Sequence, residues 1–229
     1  MNTEQYYKLK EECAAKLVTL IAVSKIQPIA SIEKLYAMGH RDFGENYVQE
    51  LVEKQAALPK DIQWHFIGHL QSNKVKLIAP FVHLIHAVDS FKLLQEIEKQ
   101  AAKNNRTIDV LLQLHIATEE TKYGMDENEL MTCLEYYTAQ QESLIHIRIC
   151  GLMGMASFTD DENKVRNELK QIHTAFTQMK QTFFIGKPSF DTCSMGMSGD
   201  YKMAIEEGST MVRIGSMLFG ERKTIKGNQ

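Results

Sequence analysis

The chain has 229 residues, 44 % of them hydrophobic, with a formal net charge of -3 at pH 7 and a sequence pI near 6.3. That length and apolar content suffice for a sizeable core and exclude a disordered chain, and without a basic excess nucleic acid is not an expected partner. Cys13, Cys133, Cys150 and Cys193 show no C-x-x-C spacing, which argues against a structural zinc site or a disulfide framework and fits a reducing cytoplasm.

The first 16 residues are polar, with Glu4, Glu11 and Glu12, unlike a secretory signal or transit peptide. Residues 4–16 read as a helix, and the apolar run at 17–23 is far below the ~20 residues that span a bilayer. Beyond it, short apolar runs alternate with amphipathic segments. The runs fall at 20–24, 41–46, 63–68, 84–88, 109–116, 146–153, 183–185 extending toward 195, and 210–214.

Helical signals separate the runs. Pro28 stands at a first-turn position, Ile29, Ile32 and Leu35 share a face, and Gly39 is a stop. Helices follow at 47–57 and at 72–79, the latter closed by Pro80, and Asp89-Ser90 and Asp126 supply caps for 91–103 and 127–140. Over 160–181, Val165, Leu169, Ile172, Phe176 and Met179 recur at steps of four and three. A short helix at 200–207 ends at Gly208.

Strands alternating with helices imply right-handed βαβ units and a parallel sheet. Eight such units in a chain approaching the ~250 residues typical of the fold predict an α/β protein, a single (β/α)8 TIM barrel with an extra N-terminal helix. An open doubly wound sheet would more often have fewer strands. No linker, repeat or low-complexity tract interrupts the pattern, so residues 1–229 are expected to form one domain.

On that fold Lys25, delivered by Leu20-Ile-Ala-Val-Ser, sits at the carboxyl end of the first strand, where such barrels keep their chemistry. Exposed lysines are common, but partial desolvation and nearby cations lower an amine's pKa, and a neutral amine attacks aldehydes. Ser194-Met-Gly-Met-Ser198-Gly-Asp200 and Arg213-Ile-Gly215-Ser216 carry small residues and hydroxyls after the last two strands, a usual place for phosphate in barrels. Neither is a Walker or G-x-G-x-x-G pattern, and two ordinary turns fit equally well. Asn46, after Gly44, either contacts a ligand or caps the next helix. His65 and His69, four apart, would share a face of an extended strand, but no neighbouring carboxylate or cysteine completes a metal set. Met153, in Gly151-Leu-Met153, can pack on a flat ring or fill core.

The blocks Ala-Val-Ser-Lys25, Phe43-Gly-Glu-Asn-Tyr-Val-Gln-Glu50, Trp64-His-Phe-Ile-Gly-His-Leu-Gln-Ser-Asn-Lys74, Gly151-Leu-Met153, Ser194-Met-Gly-Met-Ser198 and Arg213-Ile-Gly215 resemble the pyridoxal-phosphate homeostasis protein family, whose members are similar to the N-terminal barrel of alanine racemase. The resemblance runs in order from about residue 17. It implies a pyridoxal 5'-phosphate aldimine on Lys25 and phosphate contacts from Ser198, Gly215 and Ser216. It also implies Arg213 facing the pyridine nitrogen, with Asn46 and Met153 lining the pocket. The implied role is intracellular homeostasis of the cofactor by a mostly monomeric protein without robust catalysis, whose partners are pyridoxal 5'-phosphate and apo enzymes that use it. A permanent cation beside the pyridine nitrogen disfavours protonation there, which weakens the ring as an electron sink.

Two enzyme readings compete. An amino-acid racemase would need a second acid/base group on the opposite face of the ring, with Tyr47, Tyr123 and Tyr201 as the tyrosines near the rim. A Schiff-base aldolase acting on a sugar phosphate would use the same lysine and phosphate cradle without a cofactor.

Overall fold

A computed structural model describes residues 3–116 and 123–220. Eight parallel strands close into a barrel in sequence order: β1 Thr19–Val23, β2 Asp42–Glu45, β3 Gln63–Phe66, β4 Leu84–Val88, β5 Ile108–Leu114, β6 Ile147–Gly154, β7 Thr192–Ser194 and β8 Met211–Ile214. Around it run α1 Thr3–Ala15, α2 Ile29–Ala37, α3 Val48–Ala57, α4 Val75–Ile78, α5 Phe91–Lys103, α6 Glu127–Ala139, α7 Glu162–Thr182, α8 Tyr201–Glu206 and α9 Ser216–Phe219. This is the (β/α)8 barrel with an additional N-terminal helix that the alternating pattern predicts. No described helix is long and apolar enough to cross a membrane.

Local signals account for most boundaries. Ser90 accepts from Leu93 N, and Asp126 and Glu129 close a reciprocal capping box at the start of α6. On α7 the five periodic residues Val165, Leu169, Ile172, Phe176 and Met179 are all buried, each contributing about 1.5–3 kcal/mol through the apolar surface it removes from water. Two elements differ from expectation. The run at 183–185 does not start a strand: β7 is only Thr192–Ser194, and Phe184 instead stacks on Phe190 at 4.1 Å between ring centroids. The segment 72–79 divides into a 3-10 turn, Ser72–Lys74, and α4.

Two clusters share the core. The larger lies between sheet and helices; the smaller comprises Ile21, Leu84, Ala87, Leu111, Cys150, Met153 and Met211. Every member of the smaller cluster sits on a strand, as expected for residues that fill the lumen of a barrel. All four cysteines are buried and free.

Candidate functional site

Register places the sequence-predicted residues around one rim. Val23 pairs with Gly44, so Lys25 and Asn46, each two residues further on, leave neighbouring strands side by side. Ala22 pairs with Ile214 on the other flank, which puts Gly215 and Ser216 next to the same turn. Gly215 N–H donates to Ser198 Oγ at 3.3 Å, joining the loops after β7 and β8. Met153 pairs with Ser194 and is one of the lumen residues. The rim therefore collects Lys25, Asn46, Ser198, Gly215 and Ser216, with Met153 and Arg213 below it.

The turn carrying Lys25 is held from behind. Ser24 Oγ donates to Glu45 Oε1 at 2.6 Å, and Lys54 Nζ donates to Glu45 Oε1, Glu50 Oε1 and Ser24 O at 2.6–2.7 Å. Glu50 Oε1 also accepts from Ile26 N, whose residue has φ 61. Lys25 is thus bracketed by two residues that one buried ion cluster fixes. Glu45 is fully buried, and burial pushes its carboxyl up to about 7, although Lys54 and Ser24 both pull it down.

Asn46 is no helix cap. The residue at that position of α3 is Tyr47, without a side-chain cap, and Asn46 Oδ1 is buried with no hydrogen-bond partner. A buried amide oxygen left unpaired costs about 1–3 kcal/mol, so this atom is suited to an incoming donor. Gly68, two residues past β3, lies against the Asn46 backbone, since a Cβ there would lie 2.2 Å from Asn46 O.

Arg213 is 4 % exposed. Its Nη1 donates to Ser194 Oγ at 2.7 Å and its Nη2 to Gly154 O at 3.0 Å. Burial lowers its pKa to about 10, so it remains cationic at neutral pH. A desolvated guanidinium with neutral partners is a strong donor for an anion or a ring nitrogen. Together the rim offers an amine, an orphaned acceptor, a hydroxyl and glycine loop and a buried cation, a donor set that fits a phosphorylated aldehyde with a heteroaromatic ring.

The two histidines do not converge. His65 is buried, with Nε2 3.2 Å from Asp42 Oδ1 and Nδ1 3.0 Å from His86 Nε2. His69 stacks on Tyr123 at 3.8 Å, and its Nδ1 lies 3.0 Å from Asp89 Oδ2. Tyr201 Oη donates to Glu12, and burial followed by that bond raises its pKa to about 12. Tyr47 and Lys74 are exposed, and Lys122 lies outside the described residues. Glu45, Lys54 and the buried His86 escaped the sequence reading: Glu45 stands in a quoted block without a role of its own, and Lys54 and His86 stand in none. The available signal for His86 was inward parity, two residues from the lumen residue Leu84 along β4.

The family model described as alanine racemase, N-terminal domain, matches residues 3–223. The pyridoxal phosphate homeostasis protein of Aquifex aeolicus is 39 % identical over 214 residues, 93 % of this chain and 89 % of that protein. The protein of the same name from Pasteurella multocida is 40 % identical over 208 residues, 90 % of this chain and 87 % of its own length. Among solved structures, PipY of Synechococcus elongatus is 34 % identical and covers 95 % of this chain and 99 % of its own. It superposes with a TM-score of 0.87 in the form without PLP and 0.82 in the form with PLP bound.

Proposed function

The chain belongs to the pyridoxal phosphate homeostasis protein family, and from that premise we propose that it binds pyridoxal 5'-phosphate at this rim, covalently through Lys25 as a Schiff base, and serves cytoplasmic homeostasis of the cofactor without robust catalysis. The observation that carries the reading is the register across β8, β1 and β2, which sets Gly215, Lys25 and Asn46 on three adjacent strand ends. A lysine beside a phosphate-type loop is the arrangement needed to hold a phosphorylated aldehyde at both ends.

In this reading the residues divide the work. Ser198, Gly215 and Ser216 receive the phosphate by charge-assisted hydrogen bonds. Asn46 and Met153 would line the ring, and Arg213 would donate to the pyridine nitrogen. The cofactor would supply an aldehyde carbonyl, and the Lys25 amine, once neutral, would add to it with loss of one water. Arg213 favours an unprotonated ring nitrogen and so withholds the electron sink that carbanion chemistry needs. Of the three tyrosines considered for a second acid/base group, Tyr201 has its hydroxyl committed to Glu12.

The test begins with the absorption spectrum of protein mixed with pyridoxal 5'-phosphate, followed by borohydride reduction and peptide mapping. The expected result is a visible or near-ultraviolet imine band and the cofactor mass on the peptide containing Lys25. Label found only at Lys74 or Lys122 overturns the site. With L-alanine in deuterium oxide no sustained D-alanine is expected, and its formation would favour the racemase.

Gly215→Asp tests the phosphate loop separately. Gly215 has φ -116, and a Cβ there would approach nothing closer than 3.5 Å. The substitution is therefore sterically mild and reports its charge. It should weaken cofactor binding by on the order of tenfold or more, since like charges in contact are strongly unfavourable at a partly desolvated site. Wild-type affinity in equilibrium dialysis would move the phosphate site elsewhere.

A further inference from the structure

The buried cation at the rim is connected to the opposite mouth of the barrel. Asp42, at the first position of β2, lines a hollow of about 400 Å³ at the amino ends of the strands, together with His65, His83, Asp109, Arg148 and Asp191. From Asp42 Oδ1 a file of polar side chains crosses the lumen. His65 Nε2 is 3.2 Å away, His65 Nδ1 to His86 Nε2 is 3.0 Å, His86 Nδ1 to Ser194 Oγ is 3.1 Å, and Ser194 Oγ to Arg213 Nη1 is 2.7 Å. His65, His86, Ser194 and Arg213 are all at least 96 % buried, with exposures of 1 %, 0 %, 0 % and 4 %.

For neutral imidazoles the carboxylate at the far end sets the direction of the bonds. A guanidinium only donates, so Ser194 Oγ accepts from Arg213; the hydroxyl can accept again or donate, and it donates to His86 Nδ1 when that nitrogen is bare. A neutral imidazole accepting at Nδ1 carries its proton on Nε2, which His86 gives to His65 Nδ1. The same rule leaves the His65 proton on Nε2, donated to the Asp42 carboxylate. The opposite polarity would set a bare His65 nitrogen against a carboxylate or require a proton on Asp42. Burial would raise the Asp42 carboxyl, but the hydrogen bond from His65 counters it and the carboxyl lies below its usual value. A second proton on His65 would meet the Nε2 proton of His86 and force that ring to its Nδ1–H tautomer, so the two rings switch together. His86 faces His65, His83 and Arg213, and burial foremost, together with the Arg213 cation, holds it well below the ordinary imidazole range.

We propose that Asp42, His65, His86 and Ser194 are positioning residues for Arg213: an oriented file of hydrogen bonds with both imidazoles neutral and protonated on Nε2, anchoring Arg213 Nη1 and answering its charge from a carboxylate at the far mouth. Every dipole in the file points from the cation toward the anion, so each bond strengthens the next. Only what Arg213 faces rests on the cofactor reading. The tautomers and the anchoring of the guanidinium belong to the protein without cofactor.

The experiment is nitrogen-15 imidazole spectroscopy on the labelled protein without cofactor, near pH 7.5. Both His65 and His86 are expected as neutral Nε2–H tautomers. Asp42, part-exposed at the mouth, permits a fold-preserving pair of variants. Asp42→Asn retains an oxygen acceptor and should leave both tautomers in place. Asp42→Leu removes it and should shift the resonances of His86, one imidazole removed from the mutation, which a purely local structural role would not do. Ser194→Ala should weaken pyridoxal 5'-phosphate binding about tenfold by releasing a charged hydrogen bond. An Nδ1–H or cationic form of either histidine in the wild type, unmoved His86 signals in Asp42→Leu, or unchanged affinity in Ser194→Ala would each overturn the file. Failure of the wild-type protein to bind the cofactor at all would instead sink the functional reading and leave the tautomer result standing.

Discussion

Lys54→Met is expected to destabilise the fold by about 3–5 kcal/mol at pH 8, the usual consequence of removing one partner from a buried ion pair. Lys54 is the sole cation in contact with Glu45 and Glu50 among the described salt bridges, and its side chain is 5 % exposed. The substitution leaves the Glu45 carboxylate in a dry site and deprives Ser24 O of its donor. The loss should depend on pH, and its sign follows from Glu45. In the folded wild type that carboxyl is raised from 4.5 to about 7. Its contribution to stability is therefore fully present below pH 4.5 and is lost as pH rises through that window. Without Lys54 the folded-state value rises further. At pH 5.5 the folded variant holds Glu45 neutral and needs no counter-ion, so the deficit in urea unfolding should shrink relative to pH 8. Equal deficits at both values would show that Glu45 is not the group left uncompensated. Because the same cluster brackets Lys25, covalent labelling of Lys25 should also slow.

The barrel was legible because each of its devices is local. Strand-length apolar runs, Ser90 and Asp126 as caps, and the four-three spacing on α7 all act within a few residues of themselves. The seventh strand was misplaced for the opposite reason. Phe183, Phe184 and Ile185 form an apolar run, but the packing of Phe184 on Phe190 is a contact between two side chains of a turn, and periodicity cannot distinguish it from a strand. At the site, Lys25, Ser198 and Gly215 stood out because they sit at strand ends, where a barrel places its chemistry. Asn46 stayed ambiguous until the structure put the helix start at Tyr47 and left the amide oxygen unpaired. The Lys54 cluster and the histidine file were out of reach, since apart from the Glu50–Lys54 pair within α3 the contacts that build them, such as Lys54–Glu45 across 9 residues and His86–Ser194 across 108, form only through the fold.

Lys25→Ala is expected to abolish covalent capture while leaving reversible binding. The two ends of the site are chemically independent: the lysine acts at the aldehyde, whereas the loops joined by the Gly215–Ser198 hydrogen bond act at the phosphate. The Glu45, Lys54 and Glu50 ion pairs that hold the turn from behind are made by Lys54 and stay in place in the variant. The fold should therefore persist with little change in its urea midpoint. Charged hydrogen bonds contribute roughly 1.5–3 kcal/mol each, and two or three of them at the phosphate, about 3–9 kcal/mol, correspond to a Kd between about 6 mM and 0.3 μM. Equilibrium dialysis should find the variant in that range, and its bound ligand should absorb as the free aldehyde instead of as an imine. Borohydride treatment followed by mass spectrometry should add nothing to the protein. Cofactor mass on another peptide would show that Lys25 is not the capturing amine. Complete loss of reversible binding would show that the phosphate loops do not hold the ligand by themselves.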